Sequence, residues 1–139
     1  IRVVDFKTGG SAFKPKLSCV EDIFDPNRTA DRNSYYLQTF LYSIIIDNQK
    51  SNILKDYPGI DATISPALLF IQHAGADDYN PTLSFNDMMP ILDISKYKKE
   101  FIALLQSLIQ QVQSSGLFEA KKKEDSHCSL CPFRLLCRA

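Results

Sequence analysis

The sequence predicts an α/β fold with a small mixed sheet flanked by two helices. Residues 1–9 are rich in β-branched and aromatic side chains, and residues 67–71 form a continuous apolar run, so both segments read as strands. Apolar residues recur at helical spacing over 31–49 and 95–115. These patterns together indicate two principal helices around a short sheet.

The composition is that of one folded domain. At 139 residues, with 45% hydrophobic and 23% charged side chains, the chain is neither disordered nor fibrous in character. Sixteen basic residues balance sixteen acidic ones, so a nucleic-acid partner would need a local basic footprint. No apolar run approaches the ~20 residues of a membrane span and no secretory signal opens the chain, so we expect a cytoplasmic protein that does not contact a membrane.

The first strand carries a carboxylate and an ammonium on one face. Because successive strand side chains alternate, Val3, Asp5 and Lys7 share one face, while Val4 and Phe6 share the other. The pair has two interpretations. It is either part of a functional site or an exposed strand face on which Asp and Lys happen to alternate.

The helix predicted over 31–49 contains a second polar pair. Gln38 and Tyr42 are four residues apart and therefore lie on one helix face, either as part of a site or as amphipathic filler. Asp31 and Asn33 are both suitable N-caps. The predicted apolar stripe consists of Leu37, Phe40, Leu41, Ile44 and Ile45.

The middle of the chain predicts a turn and a strand. Residues 51–60 form a connection with Pro58 and Gly59 as its turn. A strand follows over 62–74, and Pro66 interrupts its start.

The second half of the chain predicts a loop and a long helix. Residues 75–90 are polar and loop-like. The helix over 95–115 is the strongest in the sequence, and Gly116 ends it. Its predicted core face consists of Tyr97, Phe101, Leu104, Leu105, Leu108 and Val112.

Three cysteines crowd the end of the chain in a C-x2-C-x5-C pattern formed by Cys128, Cys131 and Cys137. Two cysteines three apart can bind one metal centre from a tight turn, although reduced structural thiols are the alternative. A closed site needs a fourth ligand. His127, Cys19 or a residue outside the chain could provide it.

Three motifs in order, Val4-Asp5-Phe6-Lys7-Thr8-Gly9, Gln38-Thr39-Phe40-Leu41-Tyr42 and the closing cysteines, resemble the RecB-like nucleases of the PD-(D/E)xK superfamily. The closest pattern is that of the cluster-bearing AddB-type branch. The resemblance implies a restriction-endonuclease-like core that is truncated on its N-terminal side. The chain would be the C-terminal part of a nuclease domain, with a core over 1–120 and a cysteine-rich tail over 121–139.

The resemblance also implies a role for each site residue. Asp5 would ligate Mg²⁺ or Mn²⁺, and the backbone carbonyl of Phe6 would add an oxygen ligand. Lys7 would orient or deprotonate the attacking water and stabilise the developing negative charge. Gln38 and Tyr42 would buttress the site and contact the DNA backbone.

At the level of the whole protein, the resemblance implies a metal-dependent DNA exonuclease domain of a helicase–nuclease-type repair protein, with a helicase or recombination partner subunit. The three terminal cysteines would hold a 4Fe-4S cluster whose fourth ligand lies outside the chain.

The chain departs from the family pattern in one respect. A second metal-binding acid belongs on the preceding strand, and this chain begins after that point. We therefore expect the 139-residue piece to be inactive by itself, because one carboxylate makes a poor magnesium site. The missing half of the sheet would leave an exposed edge at which a second copy could pair.

Two other functions remain open at this stage. The chain could be a non-catalytic DNA-binding or scaffolding module with the same fold. It could also be a zinc-dependent interaction module unrelated to nucleases, in which Asp5 and Lys7 have no joint role.

Overall fold

A computed structural model describes residues 1–8, 16–31, 33–86 and 89–114. The chain divides into two compact units, Ile1–Leu108 and Ile109–Ala139. The first unit contains every strand described below. In the second, the described residues are 109–114, which form the end of the last helix.

The described elements alternate between short strands and helices, as in the predicted α/β class. The strands are β1 (Arg2–Lys7), β2 (Ser65–Phe70), β3 (Ser84–Phe85) and β4 (Met89–Pro90). The helices are α1 (Asn33–Asn48), α2 (Lys50–Ile53) and α3 (Ser95–Ser114), with 3-10 segments at Glu21–Phe24, Pro26–Asp31 and Ile71–His73. No described helix has the length and apolar character needed to cross a membrane.

The strands form a parallel pair and an antiparallel pair. β1 runs parallel to β2, with Asp5 opposite Leu68, and β3 pairs antiparallel with β4. An antiparallel bridge between Ala67 and Thr82 joins β2 to the segment that leads into β3. The predicted mixed sheet is therefore present as two small sheets that this bridge connects.

The hydroxyl of Tyr79 completes the edge of β2 that carries the Ala67–Thr82 bridge. It accepts a hydrogen bond from the Phe70 N–H at 2.9 Å and donates one to the Leu68 carbonyl at 2.8 Å. Nearer the start of β2, the Leu68 N–H donates to the carbonyl of Pro81 and the Pro66 carbonyl accepts from Leu83. This side of β2 therefore has partners from Pro66 to Phe70.

Helix α1 buries a different stripe from the predicted one. Its buried residues are Asn33, Tyr36, Thr39, Phe40, Ser43 and Ile44. Leu37 and Leu41 are only partly buried, and Ile45 is half exposed. Apolar side chains occur on more than one side of α1, so their spacing did not specify which side faces the core. The helix begins at Asn33, whose amide donates to the carbonyls of Ile23 and Asp25.

The second predicted strand is shorter than 62–74, and Pro66 lies within it. Its parallel partner β1 ends at Lys7, which is opposite Phe70, so the ladder ends there. Ile71 already belongs to a 3-10 segment and is half exposed.

The predicted turn before β2 is confirmed. Gly59 has a φ of +88°, and the Ile60 N–H donates to the Tyr57 carbonyl, as in a type II turn. The 51–60 connection nevertheless begins inside the short helix α2.

The predicted 75–90 loop contains structured segments, because it carries the Thr82 bridge, β3 and β4.

An aromatic cluster joins α1, β3 and α3. The ring of Phe40 lies 6.0 Å from that of Phe85 and 5.5 Å from that of Phe101, and the rings of Phe85 and Tyr97 are 5.4 Å apart. Such tilted and edge-on pairs are favourable aromatic geometries. The predicted core face of α3 is buried only near this cluster, since Val112 is more than half exposed.

Candidate active site between the first strand and the first long helix

Asp5 and Lys7 lie on the face of β1 that turns toward α1. The Lys7 ammonium is 2.9 Å from Asp5 Oδ2, and their side chains are only 16% and 11% exposed. Phe6, on the opposite face, is 60% exposed. The interpretation of Asp5 and Lys7 as an exposed strand face is therefore wrong, because the polar face is the covered one.

Two residues of α1 extend this ion pair into a chain of contacts. Lys7 Nζ donates to Gln38 Oε1 at 2.8 Å, and Gln38 Nε2 donates to the Tyr42 hydroxyl at 2.8 Å. The structure therefore brings together all four side chains that the sequence singled out. The amide of Gln38 thus links the buried Asp5–Lys7 pair to Tyr42, which is 43% exposed.

Two further residues contact the ion pair. The sequence places Tyr35 one turn before Gln38 on the same helix face and includes Thr39 in the Gln38–Tyr42 motif, but it assigned neither residue a role. The Thr39 hydroxyl lies 3.4 Å from Asp5 Oδ2 and 2.8 Å from the carbonyl of Tyr35. The ring centroid of Tyr35 lies 4.5 Å from Lys7 Nζ, within the range of a cation–π contact. Helical spacing was an available signal, because positions 35, 38, 39 and 42 share one face of a helix.

The site occupies the carboxyl end of the parallel pair β1–β2. Lys7 is the last residue of β1 and pairs in register with Phe70, the last residue of β2. The ring of Tyr35 lies 6.2 Å from that of Phe70, so α1 crosses the sheet at this end. Functional groups in α/β folds commonly gather at the carboxyl ends of parallel strands.

The comparison with protein families finds a match to the PD-(D/E)XK nuclease superfamily over residues 1–138. The chain belongs to the PD-(D/E)XK nuclease superfamily. Membership implies a nuclease-type phosphodiesterase function in general, with DNA as the substrate class. The interpretation as a zinc module unrelated to nucleases is therefore wrong. Comparisons with curated proteins and with solved structures find no significant match.

Nucleases of this superfamily typically use divalent metals, and the site fits such an ion only in part. Asp5 Oδ2 contacts Lys7 and Thr39, while Asp5 Oδ1 makes no hydrogen bond to the residues that the structure describes. That oxygen suits a hard cation. However, among the described residues no three acidic, histidine or cysteine side chains are grouped so that they could hold a metal ion. Asp5 supplies a single carboxylate, whereas Mg²⁺ takes about six oxygen ligands, several of them waters.

The cysteine prediction lies largely outside the described residues, which include neither the C-x2-C-x5-C cysteines nor His127. Cys19 is described and is an exposed free thiol. A hydrogen bond with Glu21, and to a smaller extent desolvation, raises the pKa of this thiol. A raised pKa disfavours the thiolate form that metal ligation requires.

Proposed function

We propose that this chain is the C-terminal part of a Mg²⁺- or Mn²⁺-dependent DNA exonuclease domain from a helicase–nuclease-type repair protein. One observation carries the proposal: Asp5, Lys7, Gln38 and Tyr42 form a single chain of contacts at one end of the parallel strands. Superfamily membership supports the reaction class. The RecB-like motifs support the finer assignment.

Lys7 is suited to act on the reacting phosphate and water. Its ammonium is largely covered, so its charge is screened less by solvent than that of a surface lysine. A cation in this position can orient the attacking water and stabilise the negative charge that develops on the phosphoryl oxygens. Gln38 holds the ammonium through a neutral oxygen and leaves its charge in place.

Tyr42 is suited to contact the DNA backbone. Its hydroxyl accepts the Gln38 hydrogen bond and can still donate its own proton to a phosphate oxygen. With 43% of its surface exposed, it lies where the site opens to solvent. Gln38 therefore connects a substrate contact to the residue that acts on the phosphate.

The Oδ1 oxygen of Asp5 is the proposed metal ligand, with the carbonyl of Phe6 as a second. The metal ion would supply an activated water and a counter-charge for the scissile phosphate. We propose that the remaining acidic ligands come from residues upstream of Ile1. The 139-residue chain would then cleave DNA poorly by itself, since the described residues provide only one carboxylate at the site.

The terminal cysteines are proposed to hold a 4Fe-4S cluster with a fourth ligand from outside the chain. The support is the resemblance of their C-x2-C-x5-C spacing to the cluster-bearing AddB-type branch. Iron with labile sulfide in the purified protein would agree with this assignment. Stoichiometric zinc would contradict it.

The free edge of β1 is the proposed pairing site for a second copy or a partner subunit. Among the described residues, β1 pairs only with β2. An unpaired strand edge presents a row of backbone donors and acceptors to another strand.

The deciding experiment compares two lysine variants. Lys7→Met should reduce Mg²⁺- or Mn²⁺-dependent cleavage of linear DNA by roughly 100-fold or more, because it removes a charge that acts on the transition state. Lys98→Met is the matched control. Lys98 also forms an ion pair, at 2.7 Å with Asp47, but outside the site. The Lys98→Met variant should cleave DNA at the rate of the unsubstituted protein.

The assay needs a form of the protein that includes the residues before Ile1, and circular dichroism should verify that both variants fold. If Lys7→Met cleaves as fast as Lys98→Met, the catalytic proposal fails. If no form cleaves but all bind DNA, the non-catalytic binding module becomes the better assignment.

A further inference from the structure

Among the described residues, the Lys7 ammonium has three neighbours with different electrical character. Asp5 contributes a negative oxygen at 2.9 Å and Gln38 a neutral oxygen at 2.8 Å. The ring of Tyr35 contributes its negative face, with its centroid 4.5 Å away. An ammonium has three N–H donors, so two of them are used by the oxygens.

These neighbours differ in what happens when a substrate phosphate arrives. A phosphate oxygen and the Asp5 carboxylate compete for the same ammonium, because both are anionic acceptors. The Tyr35 ring carries no net charge. It attracts the ammonium through its quadrupole and does not cancel the charge that the phosphate must meet.

Tyr35 is itself held firmly enough to act as a support. It is partly buried against the core, and its ring lies 6.2 Å from that of Phe70 in β2. It belongs to the first turn of α1, which Asn33 anchors by two hydrogen bonds. The ring therefore has a fixed place between the helix and the end of β2.

We propose that Tyr35 is a positioning residue whose aromatic ring fixes the Lys7 ammonium beside the reacting phosphate while leaving its charge available. The inference rests on the proposed nuclease function, and it deepens that function by adding a residue that acts through Lys7. The ring carries the effect, so phenylalanine at position 35 retains it and an aliphatic residue does not.

The first test is a spectroscopic signature in the 139-residue chain. The Lys7 ε-methylene is bonded to the nitrogen that lies over the Tyr35 ring, so its protons should be shifted upfield by the ring current. Their signal is assigned by its loss in Lys7→Met. In Tyr35→Leu it should move to the position of an exposed lysine, and in Tyr35→Phe it should stay. Tyr57→Leu, which removes an exposed tyrosine elsewhere, is the control and should change nothing.

The second test measures cleavage in the form of the protein that contains the residues before Ile1. Tyr35→Leu should lower kcat about tenfold with little change in KM, which corresponds to about 1.4 kcal/mol and lies within the range of a partly desolvated cation–π contact. Tyr35→Phe should keep the rate. A trifluorinated phenylalanine at position 35 has nearly the shape of phenylalanine but a weaker negative face. Its cleavage rate should therefore lie between those of Tyr35→Phe and Tyr35→Leu. Because it keeps the shape of the ring, this variant tests the proposal even if Tyr35→Leu folds poorly.

The outcomes separate the two proposals. If Lys7→Met loses cleavage while Tyr35→Leu retains both the rate and the upfield signal, the positioning role is wrong and the nuclease proposal stands. Equal rates for the phenylalanine and its trifluorinated analogue would also contradict the positioning role. If Lys7→Met keeps its activity, the nuclease proposal itself fails.

Discussion

Two lysine–aspartate pairs contact helix α1, and they are similar in geometry. Lys7 and Asp5 approach to 2.9 Å, while Lys98 and Asp47 approach to 2.7 Å. The two aspartates are 11% and 10% exposed. Neither distance nor burial of the carboxylate distinguishes them.

The pairs differ in what they connect. Asp47 and Lys98 are 51 residues apart and join α1 to α3, so their contact contributes directly to the tertiary fold. Asp5 and Lys7 are two residues apart in one strand and are near each other in the unfolded chain as well. Folding moves this pair into a covered position, which costs desolvation without connecting distant elements.

The surroundings differ in the same sense. The contacts of the Lys7 ammonium, Gln38 and the ring of Tyr35, are neutral apart from Asp5, and they orient the charge. Among the described residues, Lys98 hydrogen-bonds to Asp47, and its side chain is a third exposed. The fold accounts for the pair between the helices. The pair in the strand is better explained by chemistry at the site.

Removing both charges of each pair should give the largest contrast in stability. In Asp47→Asn with Lys98→Met, we expect the free energy of unfolding to fall by about 1 kcal/mol, because a contact between helices is lost. In Asp5→Asn with Lys7→Met, we expect no loss, and a gain of up to about 1 kcal/mol would follow from relieved desolvation. Urea unfolding of the two double variants measures the difference. If the Asp5→Asn/Lys7→Met protein were less stable than the Asp47→Asn/Lys98→Met protein, the proposed difference between the two pairs would be wrong.

Asp93, just before α3, should make a pH-dependent contribution to the free energy of unfolding. Desolvation acts to raise the pKa of Asp93, but hydrogen bonds from the side chain and backbone N–H of Ser95, with the charges of Lys96 and Lys50, lower it overall. A lowered folded-state pKa stabilises the protein above the unfolded pKa, and this stabilisation is lost as the pH falls through the folded value.

Asp93→Ala should therefore cost about 1 kcal/mol at pH 7, in the range of a lost helix-start hydrogen bond. The difference from the unsubstituted protein should shrink once the pH falls below the ordinary Asp value of about 4. Unfolding curves from pH 7 to pH 3 check this. A constant difference across that range would show that the Asp93 charge has no part in holding α3.

The smallest expected effect concerns Ser43, which lies one helical turn from both Thr39 at the site and Asp47 at the other pair. Its hydroxyl is buried and has no hydrogen-bond partner among the described residues. Ser43→Ala should raise the free energy of unfolding by about 0.5–1 kcal/mol, because it removes an unsatisfied polar group and favours the helix. Thermal unfolding tests it. A drop in stability would mean that the hydroxyl has a partner in solution.

The sequence specified the site's residues better than it specified their surroundings. Asp5, Lys7, Gln38 and Tyr42 were predicted because two short motifs resemble those of RecB-like nucleases. Spacing along a strand and a helix showed only that the members of each pair share a face. Alternation in β1 could not indicate which of its faces would be covered. That depended on where α1 packs, and the apolar residues of α1 do not favour a single side.

Contacts between distant segments also could not be predicted from the sequence. Nothing near Tyr79 indicates that its hydroxyl would complete the edge of β2, nine residues before it. The Lys98–Asp47 pair spans 51 residues and has no local signal either. The turn at Gly59 was predictable because a single local conformation requires glycine there.

Tyr79 also bears on how far this protein could assemble through its strands. A sheet extends into a fibre only if it offers an open edge on each side. In the part of the chain that the structure describes, Tyr79 and the segment before β3 cover β2, and the outer strand β4 is two residues long and contains Pro90, which has no N–H to donate. Of the described strands, only β1 offers a longer edge. The proposed strand addition at β1 would therefore join two chains and then stop.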